Sequence, residues 1–144
     1  MKRRGSELNV KRLKFAGISF VHGDIRNEED LEALSMLDLI IDASAEPSVL
    51  AGIEGGHKQL ININLNGTIN ILNLALKNKA EFIFLSTSRV YPIEQINGIN
   101  VDEVESRFAI SKKQNLKGIS TEGISEEFSL EGYRSIYGAS KLAA

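Results

Sequence analysis

The residues of this sequence best placed to do chemistry are Tyr137 and Lys141, which stand four positions apart in the segment RSIYGASKLAA. Residues at that spacing lie on the same face of a helix, so a phenol and an ammonium group could act at one site. The spacing alone is weak support for catalysis, because most Tyr/Lys pairs at helical spacing are ordinary surface residues.

A second cluster of polar groups strengthens the catalytic interpretation. The segment LSTSRVY, residues 85–91, ends a strand-like apolar run in three hydroxyl residues, Ser86, Thr87 and Ser88. Hydroxyl groups both donate and accept hydrogen bonds, so they can orient a reacting oxygen atom. The two segments together indicate a site with a hydroxyl, a phenol and an ammonium group.

The composition is that of an ordinary soluble globular protein. The chain has 144 residues, of which 42% are hydrophobic and 25% charged, enough for one domain with its own core. Its net charge of −2 gives no reason to expect nucleic acid or an acidic membrane as a partner. The absence of cysteine excludes disulfides, thiolate metal sites and cysteine nucleophiles. No apolar run approaches the roughly twenty residues of a membrane span and no signal peptide is recognisable, so we expect a cytoplasmic protein.

The first fourteen residues are basic, with six Lys or Arg residues against one acidic residue, Glu7. This charge could form a patch that binds phosphate, or it could belong to the exposed side of a helix. We favour a helix from Ser6 to about Lys14, with Ser6 as its N-cap and Glu7 paired with Lys11.

Three short apolar runs predict buried strands, namely ISFVHGDI at 18–25, LDLIIDAS at 37–44 and EFIFLSTS at 81–88. Helical patterns follow each of them. The order strand, helix, strand, helix, strand, helix is typical of an α/β fold with a parallel sheet covered on both sides.

Two of these helices have a clear apolar face. The first is capped by Asn27, and its buried stripe is predicted to be Leu31, Leu34 and Leu37. The second runs from about His57 to Asn78, and the residues that recur on its apolar face are Leu65, Ile69, Leu72 and Leu76. Between Tyr91 and Tyr133 the pattern fades, and we expect a long polar excursion with a turn of helix near residues 102–108.

Ligands of a doubly wound sheet bind beyond the carboxyl ends of the strands. The small residues at 43–45 would let a flat ligand approach the backbone there. The carboxylate of Asp24 could accept a hydrogen bond from an adenine amino group, although a turn residue after a glycine is the slightly preferred interpretation. Asp42 falls inside its strand, so we expect a structural role for it. The residues at the ends of the three strands are Gly23-Asp24-Ile25, Asp42-Ala43-Ser44-Ala45 and Ser86-Thr87-Ser88.

Five motifs in this order and at these spacings resemble the extended short-chain dehydrogenase/reductase family, the NAD-dependent epimerases and dehydratases. They are GDI, the small-residue strand end, NLNGTIN at 64–70, LSTSRVY and YGASK. The resemblance covers nearly the whole chain. It implies a Rossmann-like doubly wound parallel sheet and an enzyme that acts on nucleotide-sugars with NAD or NADP.

The resemblance also implies roles for the reactive residues. Tyr137 would be the base that takes a proton from a sugar hydroxyl, and Lys141 would favour the phenolate and hold the nicotinamide ribose. Thr87 matches the family's catalytic Ser/Thr position and would orient the sugar oxygen, with Ser86 and Ser88 as the alternatives. In the family's dehydratases this Thr is followed by Asp-Glu; here Ser88-Arg89 follow it, which disfavours dehydration.

Further residues match the family's cofactor-binding positions. Asn64 matches the asparagine of an N-x-x-G-T helix placed behind the Tyr/Lys pair, although it could simply satisfy helix backbone. The matches implied by the resemblance are Asp24 and Ile25 at the adenine, and Ala43, Ser44 and Ala45 in the cofactor loop at the strand end.

One element of the family pattern has no counterpart in this sequence. The family opens with a strand and a G-x-x-G-x-x-G turn that seats the cofactor pyrophosphate at a helix N-terminus. We therefore expect residues 1–144 to be a partial NAD(P)-binding Rossmann domain that lacks the first strand, the glycine turn, the second strand and the C-terminal substrate domain. Such a fragment of a nucleotide-sugar epimerase would be inactive alone. Because the missing strands would separate ISFVHGDI from LDLIIDAS, only the pairing of LDLIIDAS with EFIFLSTS is expected to be intact.

Two other functions stay open, a different nucleotide-sugar oxidoreductase such as a 4-epimerase, and a non-catalytic binding remnant with the same fold. We expect NAD as cofactor, although Arg3 and Arg4 keep NADP possible, and a homo-oligomer for the full-length protein. His22 and His57 have no neighbouring cysteine or carboxylate cluster, so no metal site is expected.

Overall fold

The computed structural model describes residues 6–47 and 55–144. Helices α1 to α6 span Ser6–Phe15, Glu28–Glu32, His57–Ile61, Gly67–Asn78, Ile93–Asn97 and Ile136–Ala143. Strands β1 to β6 span Leu39–Asp42, Glu81–Phe84, Val101–Val104, Arg107–Ile110, Ile119–Ser120 and Gly123–Ile124. A π-helical segment, Asn62–Asn66, joins α3 to α4, and a 3-10 turn, Ser88–Val90, follows β2.

The centre of the fold is a parallel pair formed by β1 and β2. Its register runs from Leu39 opposite Glu81 to Asp42 opposite Phe84. This pairing confirms the one expected from the sequence. Since the strands are parallel, their carboxyl ends lie at the same edge, where α/β proteins bind ligands.

One continuous helical stretch connects these two strands, and its predicted limits, His57 to Asn78, are confirmed. The π-helical segment interrupts it near the middle, where the N–H of Gly67 donates to the carbonyl of Asn62 five residues earlier. Single π turns inside α-helices are frequent at functional sites.

The apolar core lies between α2, α4 and the parallel pair. Leu31, Ile71 and Leu74 are its buried members, and the half-buried residues packed on them are Ile25, Leu34, Leu37, Ile40 and Phe82. The predicted Leu31, Leu34 and Leu37 stripe therefore does face the core, although α2 itself ends at Glu32.

The apolar face predicted for the long helix was wrong. Ile69, Leu72 and Leu76 are 45%, 36% and 77% exposed. The buried face instead contains several small or polar side chains that an analysis of apolar periodicity does not count. Its members are Leu60, Asn64, Gly67, Thr68, Ile71, Leu74 and Ala75.

The predicted strand at 18–25 is also absent. Residues 18–24 form no ladder with another segment of the described chain, and Ile18, Phe20 and Val21 are 51%, 48% and 60% exposed. A strand needs a hydrogen-bonding neighbour, and β1 pairs only with β2 in the described residues. The expected helix before it is confirmed as α1.

The long excursion contains strands where a helical turn was expected. β3 and β4 pair as an antiparallel hairpin from Val101 opposite Ile110 to Val104 opposite Arg107, so the helix near 102–108 was wrong. Glu105 adopts a φ of 52° in the tight turn between them, which ends any helical run there. β5 and β6 form a second, shorter hairpin. In the described ranges, no helix is long and apolar enough to cross a membrane.

The burial of the long helix predicts different costs for two leucines two positions apart. Leu74→Ala should lower the free energy of unfolding by about 2–5 kcal/mol, because it empties a buried core position. Leu76→Ala should change it by less than about 0.5 kcal/mol, because that side chain is exposed. Urea unfolding at low protein concentration measures both. Equal losses would contradict this assignment of the buried face.

Candidate functional site

The carboxyl end of β1 is fixed by a buried carboxylate, Asp42, which is 4% exposed. One of its oxygens accepts hydrogen bonds from the Ser44 N–H at 2.9 Å and the Ser44 hydroxyl at 2.5 Å. The other oxygen accepts from the Thr68 hydroxyl at 3.2 Å, a donor that it shares with the Asn64 carbonyl at 3.1 Å. These bonds tie Ser44 to the end of β1 and tie Asp42 to Thr68 on α4.

Asn64 connects three elements from inside the π-helical segment. It is fully buried, and its side-chain oxygen accepts from the Glu46 N–H at 2.8 Å. Its amide nitrogen donates to the Ser140 hydroxyl at 3.2 Å, and that hydroxyl donates to the Tyr137 carbonyl at 2.8 Å. The Asn64 side chain therefore bonds outside its own helix and links the strand-end loop to α6.

Lys141 lies on the buried side of α6, one turn after Tyr137, and is 4% exposed. Its Nζ is 3.7 Å from the centroid of the Phe84 ring, within the range of a cation–π contact. Burial lowers the pKa of Lys141, and the negative charge of Asp42 opposes that shift. Tyr137 is half-buried.

The start of α6 is fastened to the 3-10 turn. The Ser135 hydroxyl caps the helix by accepting from the Gly138 N–H at 3.1 Å. Gly138 packs so closely on the turn that a Cβ there would overlap the Arg89 carbonyl oxygen. Arg134 Nε donates to the Val90 carbonyl at 3.0 Å. These contacts fix the position of the helix that carries Tyr137 relative to the 3-10 turn.

Thr87 immediately precedes the same turn and is half-buried, whereas Ser86 and Ser88 are exposed. Its hydroxyl accepts from the Arg89 N–H at 3.3 Å and so caps the turn. Within the described residues, no hydrogen bond joins Thr87 to Tyr137 or Lys141. The structure brings the three residues onto packed elements, and the catalytic role of Thr87 stays a prediction.

Asp24 is paired with Arg26 across a salt bridge of 2.5 Å, and both carboxylate oxygens accept from the guanidinium. The hydrogen bonds from Arg26 lower the pKa of Asp24 to about 2. One of these oxygens also accepts from the Arg26 main-chain N–H at 3.0 Å, so each carboxylate oxygen already accepts two hydrogen bonds from Arg26. The adenine contact stays a prediction.

Ile25 is held against α4 by both its main chain and its side chain. Its carbonyl accepts from the Asn70 amide at 2.9 Å. Its side chain packs on the backbone at Gly67, where a Cβ would overlap it. The loop expected to contact adenine is therefore anchored at the first residue of α4.

Four residues of this site were not proposed as site residues from the sequence, namely Asp42, Thr68, Phe84 and Ser140. Thr68 and Ser140 stand inside NLNGTIN and YGASK, so those motifs could have indicated them. Asp42 was expected to be structural, and its bonds to Ser44 and Thr68 agree with that. Phe84 had no distinguishing feature, because it is one apolar residue among several in a strand.

The residues present fit the nicotinamide half of a dinucleotide. Ala43 is exposed directly after Asp42 at the end of β1, and the side chains at 43–45 are small enough to let a planar ring approach the main chain. The donor set contains no metal site, since no group of three His, Cys, Asp or Glu side chains comes together in the described ranges.

The contact of α6 with the 3-10 turn leads to a prediction for Gly138. Gly138→Ala should destabilise the fold by about 1–3 kcal/mol, because the new methyl group must displace the Arg89 carbonyl. Ala139→Ser, at the exposed neighbouring position, is the matched control and should change stability little. Thermal unfolding of both variants measures the difference. A Gly138→Ala protein as stable as the control would show that this contact is loose.

The Asp24–Arg26 pair predicts a stability change at acid pH. Because the pKa of folded Asp24 is about 2, below the ordinary value of 3.8, its ionisation stabilises the fold above about pH 4. That contribution is lost as the pH falls toward 2. An NMR titration of the Asp24 carboxyl carbon should show a midpoint near 2, and Arg26→Gln should move it up. A midpoint near 3.8 in the unchanged protein would contradict the pairing.

Several relatives and solved structures are similar to this chain. It is 30% identical over 151 aligned positions to CDP-paratose 2-epimerase of Salmonella typhi, an alignment that covers all of this chain and 41% of that protein. The chain thus spans about two fifths of the length of this curated relative.

Two solved structures share the fold over most of the chain. RMD from Pseudomonas aeruginosa, complexed with NADPH, is 20% identical, with a TM-score of 0.60 over 94% of this chain and 42% of its own. ADP-L-glycero-D-manno-heptose-6-epimerase of Helicobacter pylori is 20% identical, with a TM-score of 0.54 over 92% of this chain and 34% of its own.

At these identities the structural neighbours show a common fold, and a partial Rossmann-like α/β domain is the architecture that this chain shares with them. The family model for NAD-dependent epimerases and dehydratases matches residues 1–144. With a match over its whole length, the chain belongs to the NAD-dependent epimerase/dehydratase family.

Proposed function

We propose that this chain forms the NAD-binding and catalytic part of a nucleotide-sugar epimerase, with CDP-paratose 2-epimerisation as the specific activity. The observation that carries the proposal is the Tyr137/Lys141 helix, whose Lys141 is buried at the carboxyl edge of the sheet. The identity to CDP-paratose 2-epimerase of Salmonella typhi supports the choice of substrate.

In the proposed reaction the Tyr137 phenolate takes the proton from a sugar hydroxyl. When bound, NAD supplies a hydride acceptor that returns the hydride to the opposite face of the carbon. Lys141 stabilises the phenolate, because its positive charge lies one turn away on the same helix. Thr87 holds the sugar oxygen by a hydrogen bond. Tyr137 then gives the proton back, so proton and hydride are both restored and only the configuration changes.

The chain's own residues would hold the cofactor along one edge. Lys141 would donate to the nicotinamide ribose, and Asn64 would keep the strand-end loop and α6 at a fixed separation. The remaining proposed contacts are Asp24 and Ile25 at the adenine, and Ala43, Ser44 and Ala45 at the edge of β1.

Another nucleotide-sugar oxidoreductase, such as a 4-epimerase, is the second candidate. Dehydration is disfavoured by Ser88-Arg89 after Thr87, since the acid/base pair of the dehydratases is missing there. Product analysis of the whole protein on CDP-paratose separates the two epimerases. A non-catalytic binding protein would bind NAD without turning over any nucleotide-sugar.

The setting of the enzyme is proposed as well. We place it in the cytoplasm and expect the whole protein to form a homo-oligomer. The exposed apolar side chains of Ile69 and Leu72 on α4 support an oligomer, because another surface would be needed to cover them. Arg3 and Arg4, which could favour NADP, lie outside the described residues.

Tyr137→Phe is the test of the proposed function. It removes the phenol oxygen and keeps the ring, so kcat of the whole protein on CDP-paratose should fall by about 10²–10⁴-fold. NAD binding, measured by calorimetry, should be unchanged. Tyr133→Phe is the matched control, because Tyr133 is 86% exposed just before the same helix, and its activity should equal that of the unchanged protein. Full turnover by Tyr137→Phe would overturn the proposal.

A further inference from the structure

We propose that Asp42 is a positioning residue of this site, which keeps the buried Lys141 ammonium protonated and seated beside the Phe84 ring. The inference rests on the proposed function only because Lys141 belongs to the proposed catalytic pair. Its structural grounds involve no substrate and no cofactor.

The strand register places the three groups together. Asp42 and Phe84 are partners at the last paired position of the parallel pair. Because neighbouring residues at one register point to the same face of a sheet, the carboxylate and the ring share a face. Lys141 Nζ lies 3.7 Å from the centre of that ring. The ammonium group therefore meets the sheet on the face where Asp42 stands.

Both charges are withdrawn from water. Asp42 and Lys141 are each 4% exposed. Burial of an ammonium group favours its neutral form, unless an opposite charge or an aromatic face compensates for the lost hydration. Burial lowers the pKa of Lys141, and Asp42 raises it. The Phe84 ring offers a partial negative charge at its face, whereas Asp42 offers a full one.

Asp42 is itself held in place by three donors. The Ser44 main chain and hydroxyl bond one oxygen, and the Thr68 hydroxyl bonds the other. A main-chain N–H cannot rotate away, so the carboxylate has a fixed orientation. Lys141 is held from the other side, because Ser140 next to it accepts from Asn64.

Other ionisable groups occur on the elements around α6, and Glu46 is a carboxyl group among them. His57 and Lys58 on α3 and Arg89 on the 3-10 turn are exposed and carry no negative charge. Tyr137 lies on α6 itself, and Glu46 is half-buried in the strand-end loop. The charge–charge contribution to the pKa of Lys141 comes from Asp42.

The sign of the effect follows from these contacts. Without the Asp42 carboxylate, burial acts on Lys141 unopposed except by the Phe84 ring, so the lysine loses its proton at a lower pH. A neutral lysine cannot stabilise the Tyr137 phenolate. The alkaline limb of a plot of kcat against pH should therefore move to lower pH when Asp42 is neutralised.

The direct test is an NMR titration of lysine Cε carbons in the whole protein labelled with ¹³C-lysine. Lys141→Arg identifies the Lys141 signal by its disappearance. Asp42→Asn keeps the size of the side chain and removes its charge, and it should lower the titration midpoint of Lys141. Asp38→Asn is the matched control, because Asp38 is exposed just before the other end of β1 and makes the same change of charge. It should leave the midpoint unchanged.

Thr68→Val separates charge from packing. It deletes one hydrogen bond to Asp42 but keeps the carboxylate, so the Lys141 midpoint should stay where it is or rise. If Asp42→Asn does not fold, a raised midpoint in Thr68→Val supports the inference, and an unmoved midpoint counts against it, because a carboxylate without effect on Lys141 would also leave it unmoved. An unmoved midpoint in Asp42→Asn, or a lowered one in Thr68→Val, would overturn the inference.

The same experiments distinguish this inference from the proposed function. A lowered Lys141 midpoint in Asp42→Asn, with no turnover of CDP-paratose by the unchanged protein, would refute the epimerase and leave the role of Asp42 standing. Turnover of CDP-paratose by the unchanged protein, with an unmoved Lys141 midpoint in Asp42→Asn, would support the epimerase and refute the role of Asp42.

Discussion

A buried ammonium group is the interaction on which the rest of this structure depends. Lys141 is placed against the Phe84 ring, on the face of the sheet that also carries the buried carboxylate of Asp42, at the edge where both parallel strands end. Withdrawal of an unpaired charge from water costs several kcal/mol. The surrounding residues must therefore supply opposite charge, hydrogen bonds and close packing at once. The strand-end loop, the π-helical segment and α6 meet at this point for that reason.

The buried region between these elements contains mainly polar side chains. Asn64 and Thr68 on the long helix bond to the strand-end loop, to Asp42 and to Ser140. Such networks stabilise a fold only if each member finds a partner, and they leave one arrangement available. Gly67 and Gly138 also restrict the arrangement. Ile25 packs so closely on Gly67, and the Arg89 carbonyl on Gly138, that neither position has room for a Cβ. The apolar core is small by comparison and continues along the same buried face of α4, at Ile71 and Leu74.

Local patterns were enough to predict the elements that are regular and self-contained. The limits of the long helix and the N-terminal helix follow from composition and period, and the structure confirms them. The parallel pairing of the two apolar runs, which the resemblance to a known family implied, is confirmed as well. The motif YGASK correctly places Lys141 and Tyr137 on one helix. Whether Thr87 and Tyr137 act together depends on the substrate, which no pattern of residues describes.

The features that depend on distant partners were not predictable in this way. Residues 18–24 have the composition of a strand, yet a strand exists only where a second segment pairs with it. The stripe at Ile69, Leu72 and Leu76 is apolar but exposed. The helix buries Asn64 and Thr68 instead, because their side chains hydrogen-bond to Ser140 and Asp42. An analysis of periodicity counts apolar residues, so it does not identify a buried asparagine whose hydrogen-bond partners lie on distant elements.

Because of the π-helical segment, the number of residues in the helical stretch from His57 to Asn78 matters for its packing as much as the types of its residues. A single extra residue between α3 and α4 changes the phase of the two halves, so that Leu60 and Asn64 on one side and Thr68 and Leu74 on the other are all buried. Removal of one residue from Asn62–Asn66 would rotate one half by about 100° relative to the other. Related chains can therefore vary the side chains on the exposed surface of this helix, whereas an insertion or deletion within it would separate the carboxyl end of β1 from α6.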